Sequence, residues 1–137
     1  MPLQNYDLQV DQNCDWSISF VFASPDPSGL GNVANAVYYN LSGTTLSMDV
    51  RETDNASSAI LLALTLGAGL TLYTGTLPGG LPVAPANPNG FSITITNAQS
   101  SSIPPGVYAF DVIGTSGGLK TCYLKGSFTL RATVGRP

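Results

Sequence analysis

The strongest constraint in this chain is a side-chain alternation of period two. Over residues 15–22, Trp16, Ile18, Phe20 and Phe22 share one parity, and Asp15, Ser17 and Ser19 share the other. Successive side chains of a strand point to opposite faces, so this pattern predicts a strand with one buried face. Residues 44–52 repeat it, with Leu46, Met48 and Val50 facing in and Thr45, Ser47, Asp49 and Arg51 facing out. Residues 4–11 carry Tyr6, Leu8 and Val10 at alternate positions, and residues 106–113 put Tyr108, Phe110 and Val112 on one face. Shorter strands are expected at 70–73 and 91–96. Residues 59–66 are nearly continuous apolar, so either both faces of that strand are covered or it packs at an interface. No stretch carries the 3.6-residue period of a long amphipathic helix.

The last third predicts a hairpin. Thr115-Ser116-Gly117-Gly118 is turn chemistry, because glycine tolerates positive φ. In the strand that follows, Cys122, Leu124, Phe128 and Leu130 share a face. Thr121, Tyr123, Lys125, Ser127, Thr129 and Arg131 share the other. Gly126 falls on the apolar parity and marks a bend or bulge. Residues 97–106 hold one short helical turn before Pro104. Two long Pro/Gly-rich loops remain, at 24–35 and 74–89. Long loops are uncommon in compact domains unless they bind something or stay disordered. About eight short strands predict an all-β chain: a single antiparallel β-sandwich, immunoglobulin-like or jelly-roll-like, spanning residues 1–137 as one domain.

Composition removes several activities. The chain has 137 residues and no histidine, so it holds no Ser-His-Asp or Cys-His nucleophile system and no histidine-ligated metal. Five basic side chains are scattered against eight acidic ones, which gives no stripe for nucleic-acid phosphates. No apolar run reaches the roughly 18 residues of a membrane helix, and residues 1–4 lack the basic-then-apolar signature of a signal peptide. No enzyme activity, cofactor, nucleic-acid partner or membrane partner is expected.

The candidate site residues are candidates for contact rather than chemistry. Leu77, Leu81 and Val83 sit in a neutral proline-rich loop and would otherwise stand in water. Tyr38 and Tyr39 are adjacent, so a strand there turns one of them away from the core. Tyr123 also falls on the outward parity, and tyrosine is favoured at interfaces. Cys14 and Cys122 lie on apolar parities. Two readings stay open for them: a disulfide if the first and last thirds pair, or two buried free thiols. Asp49, Glu52 and Asp54 offer three carboxylates to a calcium ion. Their spacing does not match the EF-hand loop, and a polar strand end running into a turn accounts for them equally well.

The opening Tyr6-Asp7-Leu8-Gln9-Val10-Asp11-Gln12-Asn13-Cys14-Asp15-Trp16 resembles a family of short tailed-phage virion proteins, which begin Y-D-L-x-I-x-Q-G-A-x-[FW]. Asn13 replaces the usual glycine and also tolerates a left-handed turn. Val50-Arg51 is similar to the end of the family's central strand, and residues 59–65 to its apolar strand. Residues 105–112 resemble its G-x-Y-x-[YF]-D-L strand, and residues 124–130 its closing L-x-G-x-[VF]-x-[VL] strand. The pattern is also similar to the N-terminal β-sandwich domain of siphophage upper baseplate proteins. The resemblance implies a non-enzymatic virion structural protein assembled in the host cytoplasm. The first expectation is a capsid cement or decoration protein that binds the major capsid protein and bridges capsid subunits, as a homo-oligomer with a trimer favoured. The alternatives are a baseplate or tail adaptor that attaches fibres or receptor-binding proteins, and a carbohydrate- or host-surface-binding module that uses exposed tyrosines.

Overall fold

The computed structural model describes residues 4–24, 29, 37–55, 57–76 and 87–132. They form strands β1 (Gln4–Asn5), β2 (Leu8–Asp11), β3 (Trp16–Val21), β4 (Ala23–Ser24), β5 (Val37–Tyr38), β6 (Thr45–Arg51), β7 (Ile60–Leu66), β8 (Gly69–Tyr73), β9 (Gly90–Ile95), β10 (Gly106–Ser116) and β11 (Leu119–Arg131). One short helix, α1 (Asn97–Ser101), precedes β10. The all-β expectation holds. Nine strands join in one sheet, in the order β1-β11-β10-β6-β7-β8-β9-β3, with β2 also on β11. The sheet curls until it nearly closes, and β4 and β5 form a small second sheet.

The alternating strands place the core as the sequence predicts. On β6, Leu46, Met48 and Val50 are buried while Thr45 and Ser47 are exposed. Across the curled sheet, Phe91, Ile93 and Ile95 of β9 and Phe110 and Val112 of β10 are buried as well. Each such side chain contributes about 1.5–3 kcal/mol by leaving water. The β10–β11 hairpin closes through Gly117 (φ 59) and Gly118 (φ 83). Both take the positive φ that a two-residue hairpin turn requires.

Residues 4–11 differ from a simple antiparallel strand. They split into β1 and β2, and both run parallel to β11. Between them the Tyr6 amide donates to the Lys125 carbonyl at 2.9 Å. A Cβ at Gly126 would stand 2.1 Å from the Tyr6 carbonyl oxygen, so only glycine lets the two backbones come this close. Gly126 therefore marks a close approach at the interruption between β1 and β2. Asn13 (φ 66) then turns the chain away from β11, and β3 pairs with β9 at the other end of the sheet.

Helix α1 braces that turn. Thr96 and Gln99 form a capping box, a reciprocal arrangement that satisfies two otherwise orphaned amides. The Asn97 amide donates to Asp15 Oδ1 at 2.7 Å, the Asn13 amide donates to Ser100 Oγ at 3.0 Å, and Gln12 Nε2 donates to the Ile103 carbonyl at 2.9 Å.

Candidate functional site

Of the residues expected to form an interface, Tyr38, Tyr39 and Tyr123 lie among the described residues. Tyr123 is the clearest correction. The β10–β11 register steps from Val112↔Leu124 to Ile113↔Cys122, so Tyr123 is an extra, bulged residue. A bulge shifts the parity of everything beyond it. Tyr123 turns inward to 7% exposure and packs on Phe22 and Phe91, with ring centroids 5.4 and 6.2 Å away. A Cβ at Gly114 would lie 2.5 Å from its ring, so that glycine makes the room. Burial first, then Tyr39, pushes the Tyr123 hydroxyl pKa above its usual value. Tyr38 is half-buried and pairs with Ala23. Tyr39 is half-buried against the core, and its amide donates to the Phe22 carbonyl at 3.1 Å. Leu77, Leu81 and Val83 lie outside the described residues.

The same bulge relocates Cys122. It is half-buried on the outer face of the sheet, and Cys14 is exposed in the β2–β3 turn; both are free thiols. Cys14 follows Asp11, which pairs with Arg131 at the far end of β11. Nine residues of strand separate that point from Cys122, roughly 30 Å, beyond the reach of a disulfide.

Register builds a charged groove that the linear sequence does not display. Asp111 stands between Asp49 of β6 and Lys125 of β11, and Ala109 stands beside Arg51. These residues, with Ile113 and Cys122, line an open groove of about 630 Å³ on the outer face. Arg51 approaches Asp49 at 3.6 Å and donates from Nη1 to the Ser58 carbonyl at 2.8 Å. Burial raises the Asp111 pKa, Asp49 adds to the rise, and Arg51 and Lys125 oppose it. Burial also raises the Cys122 thiol, with Asp111 adding and Lys125 opposing. A thiol held protonated is a poor nucleophile. Among the described residues no three potential ligands gather for a metal ion. The outward parity of Asp49 and Asp111 is legible in the sequence. Their apposition is not, because it depends on which strands pair.

The opposite outer face, on β3, β9 and β8, carries hydroxyls. Ser19 and Ser92 meet at 2.7 Å, Ser17 and Thr94 at 3.3 Å, and Thr71 is in register with Ser92. Beside it lies a shallower hollow of about 390 Å³ lined by Thr71, Thr94, Gln99 and the Gly67–Gly69 corner.

Apolar surface remains on β7. Leu64 is buried and Leu61 and Leu62 are half-buried, while Ile60 and Leu66 stay 49% and 39% exposed. The first reading of that strand, with both faces covered, does not hold for the single chain. On β3 the inward row is also incompletely covered: Trp16, Ile18 and Phe20 are half-buried, and only Phe22 beyond the strand end is fully buried. Tyr6 caps Phe20 edge-on at 5.1 Å.

No protein-family model matches the chain, and no curated protein matches it. Among solved structures it is similar to a chain from "Structural basis of T cell specificity and activation by the bacterial superantigen toxic shock syndrome toxin-1". The two share 16% identity over 93% of this chain and 92% of that chain, with a TM-score of 0.37. A likeness of that strength carries no argument about activity or partner.

Proposed function

We propose that this chain is a non-enzymatic structural subunit of a phage virion, a cement protein that sits on the capsid head and bridges capsid subunits. The observation that carries the reading is the interlock between the two ends of the resemblance. The opening Tyr6-Asp7-Leu8 lies against the closing Leu124-Lys125-Gly126, through the Tyr6 amide on the Lys125 carbonyl and the close approach at Gly126. Asp7 Oδ1 accepts from Ser127 Oγ at 2.7 Å beside that contact. The central fragments fall on β6, β7 and β10, which are hydrogen-bonded neighbours of that pair or of one another. The fragments that carry the resemblance thus lie on neighbouring strands of one sheet, which supports the reading.

The exposed apolar side chains of β7 and the sparse charge suit a subunit covered by neighbours. A repeating lattice lets modest contacts hold it, because many weak sites act together. The sugar-binding alternative keeps less support, since Tyr123 is buried and Tyr39 packs on the core.

Quantitative mass spectrometry of purified particles against the major capsid protein tests the proposal. A cement protein is present at a copy number comparable to that of the capsid subunit. A copy number set by the low symmetry of a tail or baseplate replaces this reading with the adaptor. Absence from the particle removes both.

A further inference from the structure

Strand β3 ends the sheet. It pairs with β9 on one side, and among the described residues no strand lies on its other side. Natural edge strands are blunted by charge, proline, bulges or shortness. The six residues Trp16–Val21 contain no charge, no proline and no glycine. Their phase is fixed by the Phe22 amide, which donates to the Asn89 carbonyl of the β9 side at 2.9 Å. Peptide groups alternate sides along a strand, so Phe20, Ile18 and Trp16 also address β9, while Ser17, Ser19 and Val21 point their N–H and C=O groups to the free side. The close Ser19–Ser92 and Ser17–Thr94 hydroxyl contacts fit this phase, since side chains come closest at non-hydrogen-bonded pairs.

We propose that the free edge of β3 pairs antiparallel with the β3 edge of a second copy of this chain, about a two-fold axis at Ile18. Residues directly opposite in such a pair share a face. Centred on Ile18, the register sets Ile18 against the partner's Ile18, Trp16 against the partner's Phe20, and Ser17 against the partner's Ser19. Over residues 16–20 apolar meets apolar on the inner face and hydroxyl meets hydroxyl on the outer face, and Val21 meets the partner's Asp15 just before its strand. The Ser17–Ser19 positions are the ones whose peptide groups point outward, so each exchanges two backbone hydrogen bonds.

Neighbouring registers fit worse. A one-residue slip puts serine opposite isoleucine and sends side chains to the wrong faces. Centring on Ser19 sets Val21 against Ser17 and leaves Trp16 opposite the partner's Phe22, beyond the strand end. The half-buried Trp16, Ile18 and Phe20 gain cover in the favoured register, and no charge on either strand opposes the approach. A second copy is favoured over a foreign strand because five of the six strand positions, Trp16 to Phe20, meet a like residue. The contact does not rest on the virion reading, and it is two-fold, in place of the trimer expected from the sequence.

Sedimentation equilibrium of the full-length chain from micromolar to millimolar concentration, at low salt, tests it. The wild-type protein is expected to pass reversibly from one chain to two. Ser17→Glu with Ser19→Glu places like charges opposite each other at positions exposed on the outer face, and weakens dimerisation by at least about tenfold. Circular dichroism checks that this variant stays folded. Ser17→Glu with Ser19→Lys sets opposite charges together across the axis and restores the association. A chain that stays monomeric to millimolar concentration, a three-chain species, a dimer indifferent to the paired glutamates, or a failure of Glu/Lys to restore it overturns the proposal.

Discussion

The two ends of the sheet are finished differently. At one end β11 is covered by β1 and β2, and the seam is tied by the Arg131–Asp11 ion pair at 2.9 Å and the Ser127–Asp7 hydrogen bond. The inward row of β11 beneath that cover, Leu124, Phe128 and Leu130, is each 1% exposed. At the other end β3 has a neighbour on one side only, and its inward row stays half-buried. Both strands carry large apolar residues on the inward parity, interrupted on β11 only by Gly126. The difference lies in the neighbour: a sheet face is sealed by strands on both sides of it as much as by the layer beneath. The alternation in residues 15–22 is as regular as that in residues 44–52, yet the central strand β6 seals its row and the terminal strand β3 does not.

The largest effect expected is at the covered end. Phe128→Ala removes a 1% exposed ring and costs about 3–5 kcal/mol, read from the urea midpoint. Gly126→Ala drives a Cβ into the Tyr6 carbonyl and costs about 3 kcal/mol, the upper range for overpacking. The same variant is expected to loosen β1 and β2 from β11, giving faster amide exchange at Tyr6. Trp16→Ala at the open end costs about 1.5 kcal/mol in dilute solution, because part of the side chain already faces water. A loss as large as that of Phe128→Ala would erase the distinction between the two ends.

The smallest effect is a pH slope. The folded Asp111 pKa lies above its unfolded value, so the folded state holds that proton more tightly. Its contribution is fully present below the ordinary aspartate range and is lost as pH rises through the raised value. Asp49, Arg51 and Lys125 face the same groove and remain in place in Asp111→Asn. That variant is expected to lose the acid-range slope, as denaturation curves between pH 3 and 7 will show.

Much of the fold is legible in the sequence because local chemistry sets it. The β6 alternation, the Gly117-Gly118 turn and the helical turn before Pro104 each follow from residues within a few positions. What is not legible depends on distant pairing or on a single inserted residue. Nothing local shows that residues 4–11 run parallel to β11, because their partner lies about 120 positions away in the chain. Tyr123 reads as outward until the bulge reverses its parity, and Cys122 is misplaced for the same reason. Gly114, which leaves room for the Tyr123 ring, is the one sequence trace of that bulge, and it points there only once the register is known. The charged groove is hidden likewise: Asp49, Asp111 and Lys125 lie on three strands and meet only through register.

Amide hydrogen exchange of β11, covered by β1 and β2, and of the terminal strand β3 in dilute solution tests the difference between the ends most directly. The Arg131 carbonyl accepts from Gln12, which turns the Thr129 and Arg131 amides toward β2, whereas the Ser17 and Ser19 amides face the free side of β3. The expected result is strong protection at Thr129 and Arg131, near-unprotected exchange at Ser17 and Ser19, and slowing of the serines alone as concentration rises. Equal protection of both pairs in dilute solution would mean that β3 is already covered within one chain, and would contradict the account.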